Sequence, residues 1–171
     1  MDQNWLKAIP VEKGYFLAGF VDGEGSFSVS LQKKPENKTK RRVILTFNVS
    51  QRDITVLTQL KKFLGCGRFF TRNDGVHYFL VQNPSSIQER VIPFFKRFHF
   101  LSASKKRNFS IFVQIAELVF SKAHCTPEGL LKVIQLRERL NEGKGRKRKH
   151  TLADYQSSIS ENPQRLHAEP R

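Results

Sequence analysis

Residues 15 to 30 constrain the fold most, because within this one segment the sequence changes from a helical pattern to a strand pattern. Up to Val21 the segment is apolar and uncharged, with Ala18 and Gly19 in its middle, which would let another backbone approach a helix closely. Asp22-Gly23-Glu24-Gly25 follows, after which apolar and polar residues alternate as in a half-buried strand. We therefore predict a helix that ends at Val21, an acidic turn whose glycines adopt unusual dihedral angles, and a strand directly after it.

The nine residues from Leu17 to Gly25 are similar to the signature of the LAGLIDADG homing endonucleases. Leu, Ala, Gly, Asp and the final Gly match letter for letter, and Phe, Val, Gly and Glu are like-for-like or common variants. The resemblance implies a site-specific DNA endonuclease that uses Mg²⁺ to break both strands of a long target. From the residues alone, an acidic, glycine-rich helix end without a catalytic role is the alternative interpretation.

The charge of the chain favours a nucleic-acid partner. Among 171 residues, 30 Lys and Arg stand against 15 Asp and Glu, which gives a formal net charge of +15. Such an excess attracts polyanions and opposes self-association unless something neutralises it. We expect double-stranded DNA as the partner, and neither a membrane nor a small-molecule substrate.

The sequence patterns also predict where the folded domain begins and ends. We expect an N-terminal arm over residues 1–10, a single domain over 11–141 and a basic, flexible tail over 142–171, where a run of Lys and Arg is followed by polar sequence. No export signal or membrane span is recognisable, so secretion is not expected. An organelle, either chloroplast or mitochondrion, and the bacterial cytoplasm both remain open.

The order of elements predicts an α+β fold. A helix, two strands, a second helix and two further strands joined by Asp74-Gly75 are followed by helices. This αββαββα order indicates an antiparallel sheet of about four strands with helices packed on one face. The family resemblance implies the same arrangement, with a saddle-shaped sheet.

The face of the sheet opposite the helices is predicted to contact DNA. Hydroxyl, amide and basic groups on this face can hydrogen-bond base edges or phosphates, although any one-sided sheet has a solvated polar face. The predicted contact residues are Ser28, Ser30, Gln32, Lys34, Arg42, Thr46, Asn48, Arg68, Arg72 and His77.

Only one acidic motif is present, so one chain supplies one half of a site that must cut two strands. We therefore expect a homodimer in which two motif helices pack across a twofold axis. Its predicted interface residues are Leu17, Ala18, Gly19 and Asp22, although Asp22 has the alternative role of capping or orienting the turn.

The resemblance also implies the residues of the active site. Glu24 is expected to bind the metal through its carboxylate, with the backbone carbonyl of Gly23 as a second ligand. Gln51, at the end of the second strand, and Lys105, before the late helix, are expected to act on water in the site. Gln51 has the alternation of the core side, so the strand must bulge or end there, and Lys106 is an alternative to Lys105.

Two other functions remain open at this stage. An RNA-binding intron maturase, or a DNA-binding protein that does not cleave, would use the same fold without the chemistry. A carboxylate at position 24 together with Gln51 argues against both, because neither role requires a carboxylate on a basic surface.

Overall fold

The computed structural model describes residues 4–37, 39 and 41–141. Its centre is an antiparallel sheet of four strands in the spatial order β1-β2-β4-β3. The strands are β1 (Gly25–Lys33), β2 (Arg41–Gln51), β3 (Arg68–Thr71) and β4 (His77–Val81). The α+β prediction and the predicted order of elements are thus confirmed.

Helices cover one face of this sheet. They are α1 (Asn4–Lys7), α2 (Val11–Glu24), α3 (Ile54–Leu64), α4 (Pro84–Ser86), a π-helical turn (Ile87–Val91), α5 (Ile92–Arg97), α6 (Ala103–Phe120), a 3₁₀ turn (Ala123–Cys125) and α7 (Pro127–Arg139). No helix in the described ranges combines the length and apolar content needed to cross a bilayer.

The alternation in β1 and β2 places the apolar side chains against the helices, as predicted. The register pairs Phe27 with Phe47, and both rings are at most 1% exposed. They stack with centroids 5.2 Å apart, and Phe95 of α5 meets both edge-on. A cluster of phenylalanines therefore fixes the helices to this face.

The prediction that the first helix ends at Val21 is wrong. The helix α2 continues through Asp22, Gly23 and Glu24, and β1 begins at Gly25 without a turn. Gly25 has extended backbone angles, and its N–H bonds to the Val21 carbonyl, so neither glycine of the acidic segment needs a left-handed conformation. The two acids therefore lie on a rigid helical turn rather than on a loop.

The chain stays helical across Pro93. The preceding turn is π-helical, and the Ile92 N–H bonds to the carbonyl of Ile87. Pro93 then occupies the beginning of α5, where a missing N–H costs little.

Side-chain caps and a glycine turn mark other element boundaries. Asp53 caps α3 by accepting a hydrogen bond from the Thr55 N–H at 2.8 Å, and Thr126 caps α7 in the same manner through Gly129. The β3–β4 hairpin turns at Gly75, whose φ of 78° suits glycine.

The N-terminal segment contributes to the core. Leu6 and Ile9 are 6% and 4% exposed and belong to the same apolar cluster as the sheet. The basic tail predicted over 142–171 lies outside the described residues.

Candidate active site and nucleic-acid interface

The carboxylate of Asp22 joins the end of α2 to the beginning of α6. One oxygen accepts hydrogen bonds from the backbone N–H groups of Leu101 (3.0 Å) and Ser102 (2.9 Å), and the other accepts from the Ser102 hydroxyl. Burial by itself would raise the pKa of this carboxyl, but these hydrogen bonds and the positive charge of Lys105 lower it below the ordinary value of 3.8. Asp22 is therefore ionised at neutral pH and orients two helices within its own chain.

The carboxylate of Glu24, two residues later, has no such partners. The residue is exposed, and within the described ranges no group donates a hydrogen bond to its side chain or pairs with its charge. Glu24 and Gly23 lie in the last turn of α2, where backbone carbonyls generally lack intrahelical partners and the helix dipole is negative. This helix end therefore offers oxygen ligands to a cation.

Lys105 brings a positive charge to the same end of α2. The residue is 9% exposed, and its Nζ donates a hydrogen bond to the backbone carbonyl of Gly25, next to Glu24. The Ser102 hydroxyl caps α6 by accepting a hydrogen bond from the Lys105 N–H at 3.3 Å. Since Lys106 is exposed, Lys105 is the lysine that the fold directs to the acidic helix end.

Gln51 lies at the same end of the sheet. It is the last residue of β2, and the register that pairs Gly25 with Val49 places it just beyond the first residue of β1. The pairing of β2 with β4 continues without a bulge to Gln51, so the strand ends there. Its side-chain oxygen accepts a hydrogen bond from the Arg52 N–H at 2.9 Å.

The donor set fits half of a magnesium site. Among the described residues, no group of three or more His, Cys, Asp or Glu side chains is placed to hold a metal. Glu24 supplies one unengaged carboxylate, whereas Asp22 is occupied by Ser102 and Leu101. Mg²⁺ takes few protein oxygens and keeps several waters, so one carboxylate and a neighbouring backbone carbonyl are suitable protein ligands for it.

The open face of the sheet carries most of the predicted contact residues. The register places on this face Ser28, Ser30, Gln32, Arg42, Thr46, Asn48 and Arg68. Arg72 follows the end of β3 and is exposed. Apart from Thr46, the strand positions named are at least partly exposed, so this surface is available to a ligand.

Two of the predicted contacts need correction. His77 pairs with Gln51 and alternates with Tyr78, which places it on the helix side, where its Nδ1 lies 2.8 Å from the Thr71 hydroxyl. Thr46 is only 8% exposed because Gln82 covers it and donates a hydrogen bond to its hydroxyl at 3.2 Å.

Lys34 remains a predicted contact. It lies one residue beyond β1 rather than in the strand, and its ammonium group is 3.7 Å from the carboxylate of Glu36. The pair is exposed, so it is weak and leaves the lysine accessible.

Sequence reasoning missed the β4 side of the open face. Tyr78 and Gln82 share the outward phase of β4, and Phe70 of β3 faces the same side. The alternation of inward and outward residues that identified β1 and β2 also predicts these outward positions when it is applied to β3 and β4. Gln82 joins two strands, since its oxygen also accepts a hydrogen bond from Arg68 at 3.5 Å.

The predicted dimer interface is wrong for two of its residues. Leu17 and Ala18 are 0% and 1% exposed within their own chain, so neither can reach a second copy. Gly19 is exposed, and so is Gly23 one turn later; a Cβ added at either would meet nothing within 4 Å. The open face of α2 therefore includes Gly19 but neither Leu17 nor Ala18, and it ends at Glu24.

Comparisons with known proteins identify relatives of this chain. Residues 17–116 match the LAGLIDADG endonuclease family. A probable intron-encoded endonuclease 2 of Neurospora crassa is 33% identical over 130 residues, which are 74% of this chain and 27% of that protein. The DNA endonuclease I-CeuI of Chlamydomonas moewusii is 28% identical over 141 residues, covering 78% of this chain and 65% of that protein. The chain spans about a quarter to a third of the first curated relatives it matches.

Solved structures show the same fold in chains of two sizes. The archaeal intron-encoded homing endonuclease I-Vdi141I, complexed with DNA, superposes with a TM-score of 0.78 at 28% identity, covering 88% of this chain and 95% of that one. The meganuclease I-SmaMI bound to uncleaveable DNA gives 0.72 at 34% identity, covering 77% of this chain and 45% of that one. The matching motif, sheet and acidic helix end show that this chain belongs to the LAGLIDADG endonuclease family.

Proposed function

We propose that this chain is a site-specific DNA endonuclease that makes an Mg²⁺-dependent double-strand break as a homodimer. The observation that carries the proposal is the contrast at the end of α2. There Asp22 is fully engaged, while Glu24 is exposed without a partner among the described residues and lies beside Lys105 and Gln51. A free carboxylate with a neighbouring cation suits hydrolysis of a phosphodiester better than it suits a passive binding surface.

The open face of the sheet is the proposed DNA surface. Its predicted contact side chains are hydroxyl, amide and basic groups, and the whole chain has a net charge of +15. A two-stranded ribbon fits the major groove, which is about 12 Å wide. Because β1 begins at the residue after Glu24, DNA on this face would place a phosphate near the end of α2.

The homodimer follows from the single motif and from the open face of α2. One solved relative corresponds to this chain along almost its whole length, and another is about twice as long. Gly19 and Gly23 leave the exposed side of α2 flat, which would allow the helix of a second copy to pack closely. The twofold axis would bring two Glu24 carboxylates together, each near one DNA strand.

This approach is unfavourable unless a cation is present. Two carboxylates about 4 Å apart repel by roughly 1 to 4 kcal/mol, for effective dielectric constants from that of water down to 20. Glu24 and the carbonyl of Gly23 would hold the cation, which when bound activates water and neutralises charge on the phosphate and the leaving oxygen. We therefore expect cleavage, rather than folding, to require metal.

The other residues of the site have roles that their positions allow. Lys105, held against the carbonyl of Gly25, would stabilise negative charge and orient water near the phosphate. Gln51 would position water from the opposite side through its amide group. Both would act by holding groups in place, since the carboxylate is the only anionic ligand on this helix end that is not already engaged.

A cleavage selection on a randomised DNA library tests the proposal. We expect double-strand cuts at one related set of long sequences with Mg²⁺, and uncut but specifically bound DNA when EDTA removes the metal. The mass of the complex in sedimentation should equal two chains and one duplex. Failure to recover any preferred sequence, or cleavage that continues in EDTA, would contradict the proposal.

A further inference from the structure

An exposed pair of aromatic rings lies on the open face of the sheet, at the end closest to the acidic site. Phe70 of β3 stands opposite Tyr78 of β4, and the rings stack with centroids 4.6 Å apart at 12°. Tyr78 also pairs with Ser50, which directly follows the partner of Gly25 in β2. The aromatic pair is therefore level with Glu24, across the width of the sheet.

The exposure of Phe70 is not explained by the fold. The residue is 45% exposed on an edge strand, where charged side chains or proline usually prevent aggregation. Its neighbours on the core side, such as Phe79, are fully buried, so the chain does not lack an interior for aromatic residues. An apolar ring on the proposed DNA surface gains free energy only when something apolar covers it.

The surroundings hold this pair in place. The Arg72 guanidinium donates a hydrogen bond to the Tyr78 hydroxyl at 3.2 Å and forms an ion pair with Asp74 at 2.9 Å. Arg52 donates a hydrogen bond to the backbone carbonyl of Asp74 at 3.2 Å, so the hairpin turn is tied to the end of β2. Tyr78 is therefore fixed, and Phe70 rests on it with its other face outward.

We infer that Phe70 recognises thymine through its 5-methyl group in the part of each half-site that lies closest to the cut. The inference rests on the proposed DNA endonuclease function and adds a sequence preference to it. A phenyl ring cannot hydrogen-bond a base edge or a phosphate, and the thymine methyl is the distinctive apolar group of the major groove. Tyr78 supports the ring, and the polar residues around Gln82 and Arg68 read more distant positions.

The decisive experiment replaces thymine by uracil, which removes only the methyl group. The target is first identified by the cleavage selection, and each thymine is then replaced in both half-sites of a duplex used for equilibrium binding. For the wild-type chain we expect one position near the cut where Kd rises about fourfold per half-site, the effect of about 0.8 kcal/mol for one methyl group. At the other thymines the replacement should change Kd little.

Two variants and a control test whether the Phe70 ring causes this rise in Kd. Phe70→Ala should bind the thymine and uracil duplexes equally, whereas Phe70→Leu should keep part of the difference. Gln32→Ala, on the same face of the sheet but in β1, should weaken binding while the thymine preference stays intact. Circular dichroism and thermal unfolding show whether each variant is folded.

The outcomes distinguish a failure of thymine recognition by Phe70 from a failure of the proposed endonuclease function. If specific binding is found but no uracil replacement near the cut raises Kd in the wild type, the assignment of thymine recognition is wrong and the pair only stabilises the hairpin. The same conclusion follows if Phe70→Ala keeps the full preference. If the wild type selects no sequence at all, the proposed function itself fails.

Discussion

The two sides of α2 differ in what they contact, although apolar residues and glycines make up most of both. The inner side is buried in its own chain at Gly14, Leu17, Ala18 and Val21. The outer side exposes Tyr15, Phe16, Gly19 and Gly23. Glycine on the inner side makes room for a ring of the same chain, since a Cβ on Gly14 would lie 2.3 Å from Phe98. On the outer side, glycine leaves empty space next to the helix. We therefore expect the inner residues to determine mainly stability, and the outer residues to determine mainly assembly and chemistry.

The same division separates the two acids in the last turn. Asp22 accepts three hydrogen bonds from the loop that begins α6, while Glu24 has no partner among the described residues. Substitutions can test this division from either side, because an inner change should destabilise the isolated chain, whereas an outer change should impair function without destabilising it.

The largest effect is expected on the outer side, for Glu24→Gln. Removing the charge that holds the cation should lower the single-turnover cleavage rate by about 10³-fold, since metal stabilisation of the transition state amounts to several kcal/mol. The free energy of unfolding should stay within about 0.5 kcal/mol of wild type. Glu12→Gln, an exposed acid in the first turn of α2, is the matched control and should cleave normally.

A smaller loss of cleavage rate is expected for substitution of Lys105, the residue of α6 that reaches the site. Lys105→Met keeps the length of the side chain but removes its charge beside Gly25, so the cleavage rate should fall by about 100-fold. Lys106→Met should change it little, because that residue is exposed and points elsewhere. Equal losses in the two variants would show that the lysines act only by attracting DNA.

The same substitution on opposite sides of α2 should have effects of opposite sign on stability. Gly14→Ala forces a methyl group into the Phe98 ring and should cost about 1 to 3 kcal/mol. Gly19→Ala meets nothing and should stabilise the isolated chain by about 0.5 to 1 kcal/mol through helix propensity. Urea unfolding at concentrations where the chains are monomeric measures both, and equal destabilisation would mean that the outer side is buried.

A further effect on stability concerns Asp22. Asp22→Asn should lower the free energy of unfolding by about 1 to 2 kcal/mol, because the hydrogen bonds to a charged acceptor are weakened. Since the pKa of Asp22 is below 3.8 in the folded state, its contribution is complete above that value and is lost as the pH falls through the folded pKa. The difference between wild type and variant should therefore be constant near pH 7 and shrink below about pH 4.

The sequence predicted most of the fold because its local patterns agree with the packing. Alternation in β1 and β2 identified the buried face, and Asp74-Gly75 identified the hairpin between β3 and β4. The predicted end of α2 is wrong because Gly23 and Gly25 locally favour a turn, whereas tertiary contacts through Asp22 keep the helix intact.

The orientation of the motif helix required the three-dimensional structure. Its residues are apolar on all sides, so no amphipathic pattern shows which side of α2 faces the core. Leu17 and Ala18 were therefore assigned to the dimer, although Phe27 and its neighbours form a core that accommodates them. The choice between Lys105 and Lys106 likewise depended on which side of α6 faces Gly25.

An intermolecular disulfide tests most directly whether the outer side of α2 meets a second copy. In a background in which Cys66 and Cys125 are replaced by serine, Gly19→Cys would place a thiol on that side, and Gln114→Cys on the exposed surface of α6 is the control. A disulfide needs Cα atoms within about 7 Å. With target DNA, we predict a covalent dimer for Gly19→Cys and none for Gln114→Cys. A Gly19→Cys chain that binds the target but stays monomeric under oxidation would contradict the account.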